Sequence, residues 1–376
     1  MTRPYQVCTR CVMDTSAQEI TFDDNGICSF CTEFLARAGG LIHEDPAIKN
    51  KNLQTFAEQV KVAGKNKRYD CIIGVSGGVD SSWVLVQAIK LGLRPLAVHM
   101  DNGWNSELAQ NNIANLVQTL NVDLHTHVID WNEYKKLMQA FFDADVIDVE
   151  LLYDNAMLAV NYKLAEKYGI KYILAGTNQA TEGMNMPSDW NWFKYDKKNI
   201  KAIAKRFADM KLDTFPAFGT LDLVWSKFIR GINWSSILDL MDYNKFDAMK
   251  ELQATYQYKP YPYKHYESIF TRFYQGYILP EKFAVDKRRI HLGTLVAVGQ
   301  LTRDDALKGL KGIPYHSPQE LEEDRQYFIK KMGWTLNQLH EYLARPAKLH
   351  SDYGSEYELW KTLETIRRSL KRQLTF

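Results

Sequence analysis

The middle of this 376-residue chain predicts an α/β fold, a parallel sheet doubly wound by helices, and three observations lead to it. From residue 69 to about 183 short apolar runs alternate with amphipathic stretches, the pattern of a buried parallel sheet covered on both faces. One run, Cys71-Ile72-Ile73-Gly74-Val75, leads directly into Ser76-Gly77-Gly78-Val79-Asp80-Ser81-Ser82, a strand turning into a helix. The flanks lack this alternation: four cysteines crowd the first 36 residues, and beyond about 185 the chain shifts to tryptophan, tyrosine, lysine and helix formers. The expected organisation is therefore an N-terminal metal-binding module (1–36), a helical connector (37–68), the α/β domain (69–185) and a mainly helical substrate- or partner-binding region (186–376).

The elements follow in order. Residues 20–27 read as a hairpin arm ending on Asn25-Gly26, and 53–62 as a helix with Phe56, Val60 and Ala63 on one side. Strands are expected at 71–75, 95–100, 123–129 and 171–175, with helices at 79–91, 106–120, 131–142 and 155–168. In such a sheet, ligands sit beyond the carboxyl ends of the strands. Three loops converge there: 76–82, 101–104 and 176–178. The aromatic run at 256–263 reads as an extended segment packing between helices, and 359–374 as a solvated amphipathic helix. His99, His125 and His127 fall in strands and read as core or surface residues.

With 45% hydrophobic and 24% charged residues, the composition is that of a globular protein; a formal net charge of +2 gives no sequence-wide argument for a nucleic-acid partner, although a local patch could still exist, and no such partner is expected. No apolar segment is long enough for a membrane span, no signal peptide is evident, and the expected compartment is the cytoplasm. Cys8-x-x-Cys11 and Cys28-x-x-Cys31, sixteen residues apart, have the spacing of a closed tetrahedral site for structural Zn²⁺. Disulfides are disfavoured in that compartment, and metal analysis would separate zinc from an iron-sulfur cluster.

The loop at 76–82 predicts a phosphate site, because glycines permit a tight turn and the helix that follows presents free N–H groups and a positive end. It is not a Walker A loop, since no Gly-Lys-Ser/Thr follows the glycines. Ser76, Gly77, Gly78, Ser81 and Ser82 would donate to phosphate; Asp80 either caps the helix or holds Mg²⁺. Asp101 would face ribose or metal, and Gly176, Thr177 and Asn178 would close the nucleotide site, with Glu182 facing the same crevice; ordinary loop chemistry accounts for these residues equally well. Lys264-His265 and Asp286-Lys287-Arg288-Arg289-Ile290-His291 concentrate cations suited to an anionic substrate, although a solvated helix face is the usual outcome of such a run.

The SGGVDSS loop resembles that of the PP-loop ATP pyrophosphatases, of the adenine nucleotide alpha hydrolase-like fold. Further stretches carry a narrower resemblance: Cys8-Thr9-Arg10-Cys11-Val12-Met13-Asp14, Gly176-Thr177-Asn178 through Thr181-Glu182-Gly183, 264–273, and 286–303. Together they resemble the N-acetyl sugar amidotransferases along nearly the whole chain. The resemblance implies ATP and Mg²⁺ as cofactors, with adenylylation of an acetamido carbonyl on a UDP-sugar and displacement of AMP by ammonia to give an acetamidino group. The implied substrate is a UDP-linked 2,3-diacetamido-mannuronic acid of lipopolysaccharide O-antigen biosynthesis. Asp80, Lys287 and Arg288 then take catalytic roles, and Glu182, Lys264, His265, Lys287, Arg288 and Arg289 hold the substrate. Ammonia would come from a separate glutaminase subunit (HisH-like), with a HisF-like cyclase-type subunit alongside. Cysteine arithmetic agrees, because four thiols are committed to metal and Cys71 opens an apolar strand. The competing expectations are a tRNA-thiolating PP-loop enzyme, which salt-sensitive tRNA binding would reveal, and a non-catalytic zinc- and nucleotide-binding scaffold.

Overall fold

A computed structural model describes residues 4–374, with side chains to 366. Five strands form one parallel sheet: β1 (Cys71–Gly74), β2 (Pro95–Asp101), β3 (Leu124–Val128), β4 (Tyr172–Ala175) and β5 (Asn233–Ser236), in the order β3-β2-β1-β4-β5. The chain runs outward from β1 to β3, then crosses to the other side of β1 and runs outward again. The reversal point lies between β1 and β4, so their two carboxyl-end loops open a crevice there. Helices α1 (Ser29–Ile42) and α2 (Pro46–Ala63) precede the sheet, and α3 (Val79–Lys90), α4 (Glu107–Leu120), α5 (Trp131–Asp143) and α6 (Leu151–Tyr168) connect its first four strands. Its two faces feed separate cores. Ile72 packs with Leu137, Phe141 and Leu164 on one side, while Cys71 and Ile73 pack with Val60, Leu85 and Leu252 on the other.

The rest is helical: α7 (Gln179–Glu182), α8 (Lys197–Ala208), α9 (Thr220–Val224), α10 (Lys245–Tyr256), α11 (Ile269–Phe273), α12 (Leu279–Phe283), α13 (Arg288–Ala297), α14 (Arg303–Gly309), α15 (Pro318–Met332), α16 (Leu336–Ala344) and α17 (Tyr357–Leu374). A π-helical turn, Tyr274–Ile278, joins α11 to α12. Two expected boundaries need correction. The sheet does not close at 185, because β5 pairs in parallel with β4 from well beyond it; and α1 runs through residue 36, joining the cysteine module to the connector.

The C-terminal segment is fastened by His350, which is buried and stacks on Trp192 with ring centroids 5.0 Å apart. Its Nε2 accepts the Asp148 N–H at 3.2 Å, so Nδ1 carries the hydrogen and donates to Asn199 Oδ1 at 2.8 Å. Burial, aided by Lys194 and opposed by Asp148, pushes its pKa down to about 3. The folded state then binds fewer protons than the unfolded state below the unfolded pKa of about 6.5, so this stabilisation is intact above that pH and is lost as pH falls toward 3. Melting temperature is expected to fall through this window, and His350→Gln to flatten the dependence.

Candidate active site

At the reversal point lies a cleft of ≈ 630 Å³ lined by the 76–81 loop, Gly176, Thr177, α7, the start of α10 and residues 258–305. Helix α3 begins at Gly78 with no side-chain cap, leaving its first N–H groups to face the cleft. Ser76 and Ser81 stiffen the loop: their hydroxyls lie 3.2 Å apart, and Ser76 Oγ accepts the Gly78 N–H at 3.3 Å. Gly77 has φ +85°, and a Cβ there would lie 2.8 Å from the Ala109 carbonyl oxygen. Gly77→Ala is therefore expected to cost about 1–3 kcal/mol of stability and to weaken nucleotide binding, readable by thermal melting and calorimetric titration. A Cβ on Gly176 would meet the Ser81 nitrogen at 2.9 Å, so glycine is what lets the β4 loop approach the start of α3.

Asp80 does not cap its helix. Its carboxylate lies in the first turn of α3 and accepts hydrogen bonds from the Tyr243 hydroxyl and, at 3.2 Å, from Thr181 Oγ1. Burial and then the Asp80 charge push the Tyr243 phenol far up, so it stays a donor. Tyr258, from the run more often found packing between helices than forming a binding platform, lines the cleft, and its buried hydroxyl has no partner. Glu267 stands over the phosphate loop: a Cβ on Gly78 would lie 2.4 Å from its Oε1. Burial raises the Glu267 pKa, Asp80 adds to the effect, and Lys245 and Lys264 oppose it. The uncapped helix end, the glycine approaches and the orphaned hydroxyl fit a triphosphate, and Asp80 is placed to hold its Mg²⁺.

Several expected site residues lie elsewhere. Asp101 turns back on its own loop, accepting from the Gly103 N–H at 2.8 Å and Asn105 Nδ2 at 3.1 Å, and Asn105 takes the place on the cleft wall. Asn178 caps α7 through the Thr181 N–H at 2.9 Å and is buried, and Ser82 is buried behind the loop. The cationic run is used internally. Lys287 Nζ pairs with Glu150 at 2.9 Å, and Arg288 forks onto Asp286 and reaches the Gly309, Leu310 and Gly312 carbonyls. Arg289 faces the cysteine module, meeting Asp14 and the Val12 carbonyl, each at 2.9 Å. Their charges are thus met by acids of the protein itself. The cations on the cleft wall are Lys264, paired with Glu182 at 2.7 Å, and Lys245, which no motif marks. Tyr243 also joins the site without a local sequence signal, whereas Thr181, Glu267 and His291 come from stretches that carry the family resemblance or the cationic run, with no role assigned to them there.

The four cysteine sulfurs lie within 4.8 Å of one another, with Cys8 to Cys31 at 3.9 Å and Cys11 to Cys28 at 3.8 Å. A tetrahedral ZnS₄ centre has edges of about 3.8 Å, so the donor set fits zinc. Backbone N–H groups of Cys11 and Cys28 point at the Cys8 sulfur, 3.4 and 3.3 Å away, as they do where a thiolate is stabilised. The module reaches the cleft through α1: Phe34 packs on Gly183, and Arg37 bonds Gln179 and the Gly183 carbonyl, bracing α7. The fifth thiol, Cys71, is fully buried, and burial pushes its pKa up.

Residues 50–185 match the NAD synthase family model, and the parallel sheet is of the PP-loop, NAD synthetase-like fold. Residues 267–367 match the model described as LPS biosynthesis protein WbpG-like, C-terminal domain, so the chain joins a WbpG-like C-terminal domain to a PP-loop domain. Among solved structures it is similar to NMN synthetase from Francisella tularensis, at 15% identity and TM-score 0.31, covering 58% of this chain and 98% of that one. It is also similar to the NH3-dependent NAD synthetase from Campylobacter jejuni, at 15% and 0.30, covering 71% and 98%. A 4-thiouridine synthetase–RNA complex with bound ATP gives 18% and 0.30, covering 51% and 42%. No curated protein matches the sequence. Among the described residues no helix is long and apolar enough to cross a membrane.

Proposed function

We propose that this protein is an AMP-forming amidotransferase that converts an acetamido group of a UDP-linked diacetamido sugar, 2,3-diacetamido-mannuronic acid, into an acetamidino group during cytoplasmic lipopolysaccharide synthesis. One observation carries the reading. The cleft that receives the open end of α3 from the NAD synthase-like segment is walled opposite by Glu267, Thr271, His291, Leu292 and Leu295 of the WbpG-like segment. An ATP site and a family-specific wall therefore share one space.

The chemistry explains why ATP is needed. An amide carbonyl resists ammonia because its oxygen leaves poorly, so transfer of AMP to that oxygen makes it a leaving group. The N–H groups at the start of α3 bind the departing pyrophosphate, and Asp80, oriented by Tyr243 and Thr181, faces the phosphates. When bound, Mg²⁺ supplies neutralisation of triphosphate charge. Ammonia then bonds to the activated carbon and AMP departs. A separate glutaminase supplies it in this reading, which the burial of Cys71 supports, because that thiol faces no solvent as a glutaminase nucleophile must.

Incubation with ATP, ammonium chloride and the UDP-linked diacetamido sugar should yield AMP, pyrophosphate and a sugar nucleotide in which NH has replaced oxygen. An unchanged sugar nucleotide, or ADP as the product, would overturn the proposal. Glutamine in place of ammonium should be inactive without a partner subunit.

A further inference from the structure

Behind the cleft lies a smaller chamber of ≈ 150 Å³, and Lys264, His265 and His291 line both spaces. The chamber is no anion seat. Of its four cations, Lys287 and Arg288 are paired as described, Lys264 is held by Glu182, and Arg272 is neutralised by two 2.5 Å contacts with Asp324 and a 3.2 Å contact with Glu320. With a liquid water occupying about 30 Å³, the chamber suits a few small polar molecules and is too small for a nucleotide sugar.

The shared wall holds one directed chain of hydrogen bonds. Glu182 Oε1 accepts from Lys264 Nζ at 2.7 Å; Lys264 Nζ lies 3.3 Å from His291 Nδ1, and His291 Nε2 lies 3.3 Å from His265 Nε2. An ammonium only donates, so His291 Nδ1 must offer a lone pair and its Nε2 must carry the hydrogen. That hydrogen points at His265 Nε2, which places the second ring's hydrogen on Nδ1. Burial first, then the cations around them, hold both imidazoles well below the usual histidine pKa, so both rings stay uncharged through the neutral range. The charged groups facing the pair are Lys264 on the same loop as His265, Lys245 on α10, Lys287 just before α13, and Glu182 on α7 through its bond to Lys264. His265 is held at φ +68°, a left-handed conformation that costs energy for a side chain of this size.

We propose that Lys264, His291 and His265 form a proton relay that removes the proton released when ammonia bonds to the activated carbon, and discharges it into the side chamber. The relay rests on the amidotransferase reading above. As the C–N bond forms, the nitrogen becomes cationic; one N–H bond then breaks, its electron pair stays on nitrogen, and the C–O bond to AMP breaks with its pair leaving on AMP. Lys264 passes its own proton to His291 Nδ1, His291 passes one from Nε2 to His265 Nε2, and His265 releases one from Nδ1 to water. Lys264, momentarily an amine, takes the proton from the adduct, and no oxidant or reductant is needed.

The test uses full-length protein with the UDP-linked diacetamido sugar and separates the two half-reactions. His291→Ala and His265→Ala should lower ammonium-dependent AMP formation by about 10²–10⁴-fold. Sugar-dependent exchange of labelled pyrophosphate into ATP should persist, and added imidazole should restore turnover in proportion to its free-base fraction. Equal loss of exchange and turnover without imidazole rescue, or undiminished turnover in either variant, overturns the relay. Should the alanine variants fail to fold, His291→Gln and His265→Gln are read by the same split: exchange retained and turnover lost supports the relay, and full turnover overturns it. Failure of the wild-type protein to exchange pyrophosphate would instead sink the amidotransferase reading itself.

Discussion

Asp80→Asn is expected to lower AMP formation by at least about 10²–10³-fold while changing stability by less than about 1 kcal/mol. The substitution conserves shape. Its amide oxygen can still accept from Tyr243, and Thr181, whose hydroxyl both donates and accepts, can turn to receive the new amide. Tyr243 is relieved of a neighbouring anion that helps push its phenol up. What disappears is the negative charge in the first turn of α3, placed to hold a cation against the triphosphate. Pyrophosphate release and thermal melting measure the two effects. A variant that retains full turnover would remove Asp80 from the mechanism, and a variant that unfolds would return it to a structural role.

Cys28→Ser should have the largest effect on the folded state. Its sulfur accepts the Cys31 N–H at the start of α1, and it is one of four clustered thiols. Structural zinc contributes on the order of 10 kcal/mol to domains of this kind, and a serine oxygen is a poor substitute for thiolate. The loss would spread beyond the module. Arg303 spans the Cys8 and Cys11 carbonyls, Arg289 holds Asp14, and Arg37 braces the short α7 that carries Thr181 and Glu182. The expected results are loss of one zinc ion per chain, a lowered melting transition and weakened ATP binding, followed by metal analysis, circular dichroism and titration. A coloured, iron-containing wild-type protein would reassign the cluster, and a variant that melts and binds ATP as the wild type does would contradict the bracing role.

These two sites were also the most legible in the sequence, because their information is local. A phosphate loop needs consecutive residues, and a cysteine knuckle needs a pair spaced by two. Strands β1, β2 and β4 announce themselves as apolar runs, whereas β5 reads Asn-Trp-Ser-Ser and is held through backbone pairing with β4. Asp101 and Asn178 have the chemistry of ligands, yet short side chains of this kind also bond nearby backbone and here do so. The charge of Lys287, Arg288 and Arg289 is plain in the sequence; two of the acids that neutralise them, Glu150 and Asp14, lie more than a hundred residues away. Tyr243 arrives at the site only through tertiary folding, and no local pattern marks it; Glu267 and His291 lie in marked stretches, but nothing local tells which of their side chains turn to the cleft.

The central claim is that the amide oxygen, made a leaving group in this cleft, departs with AMP. A UDP-diacetamido sugar labelled with ¹⁸O in its acetamido carbonyls, turned over with ATP and ammonium, tests it most directly. The label is predicted to appear in the phosphate of AMP, with the sugar nucleotide gaining NH. Unlabelled AMP, or label retained wholly in the sugar while ATP is consumed, would contradict the account.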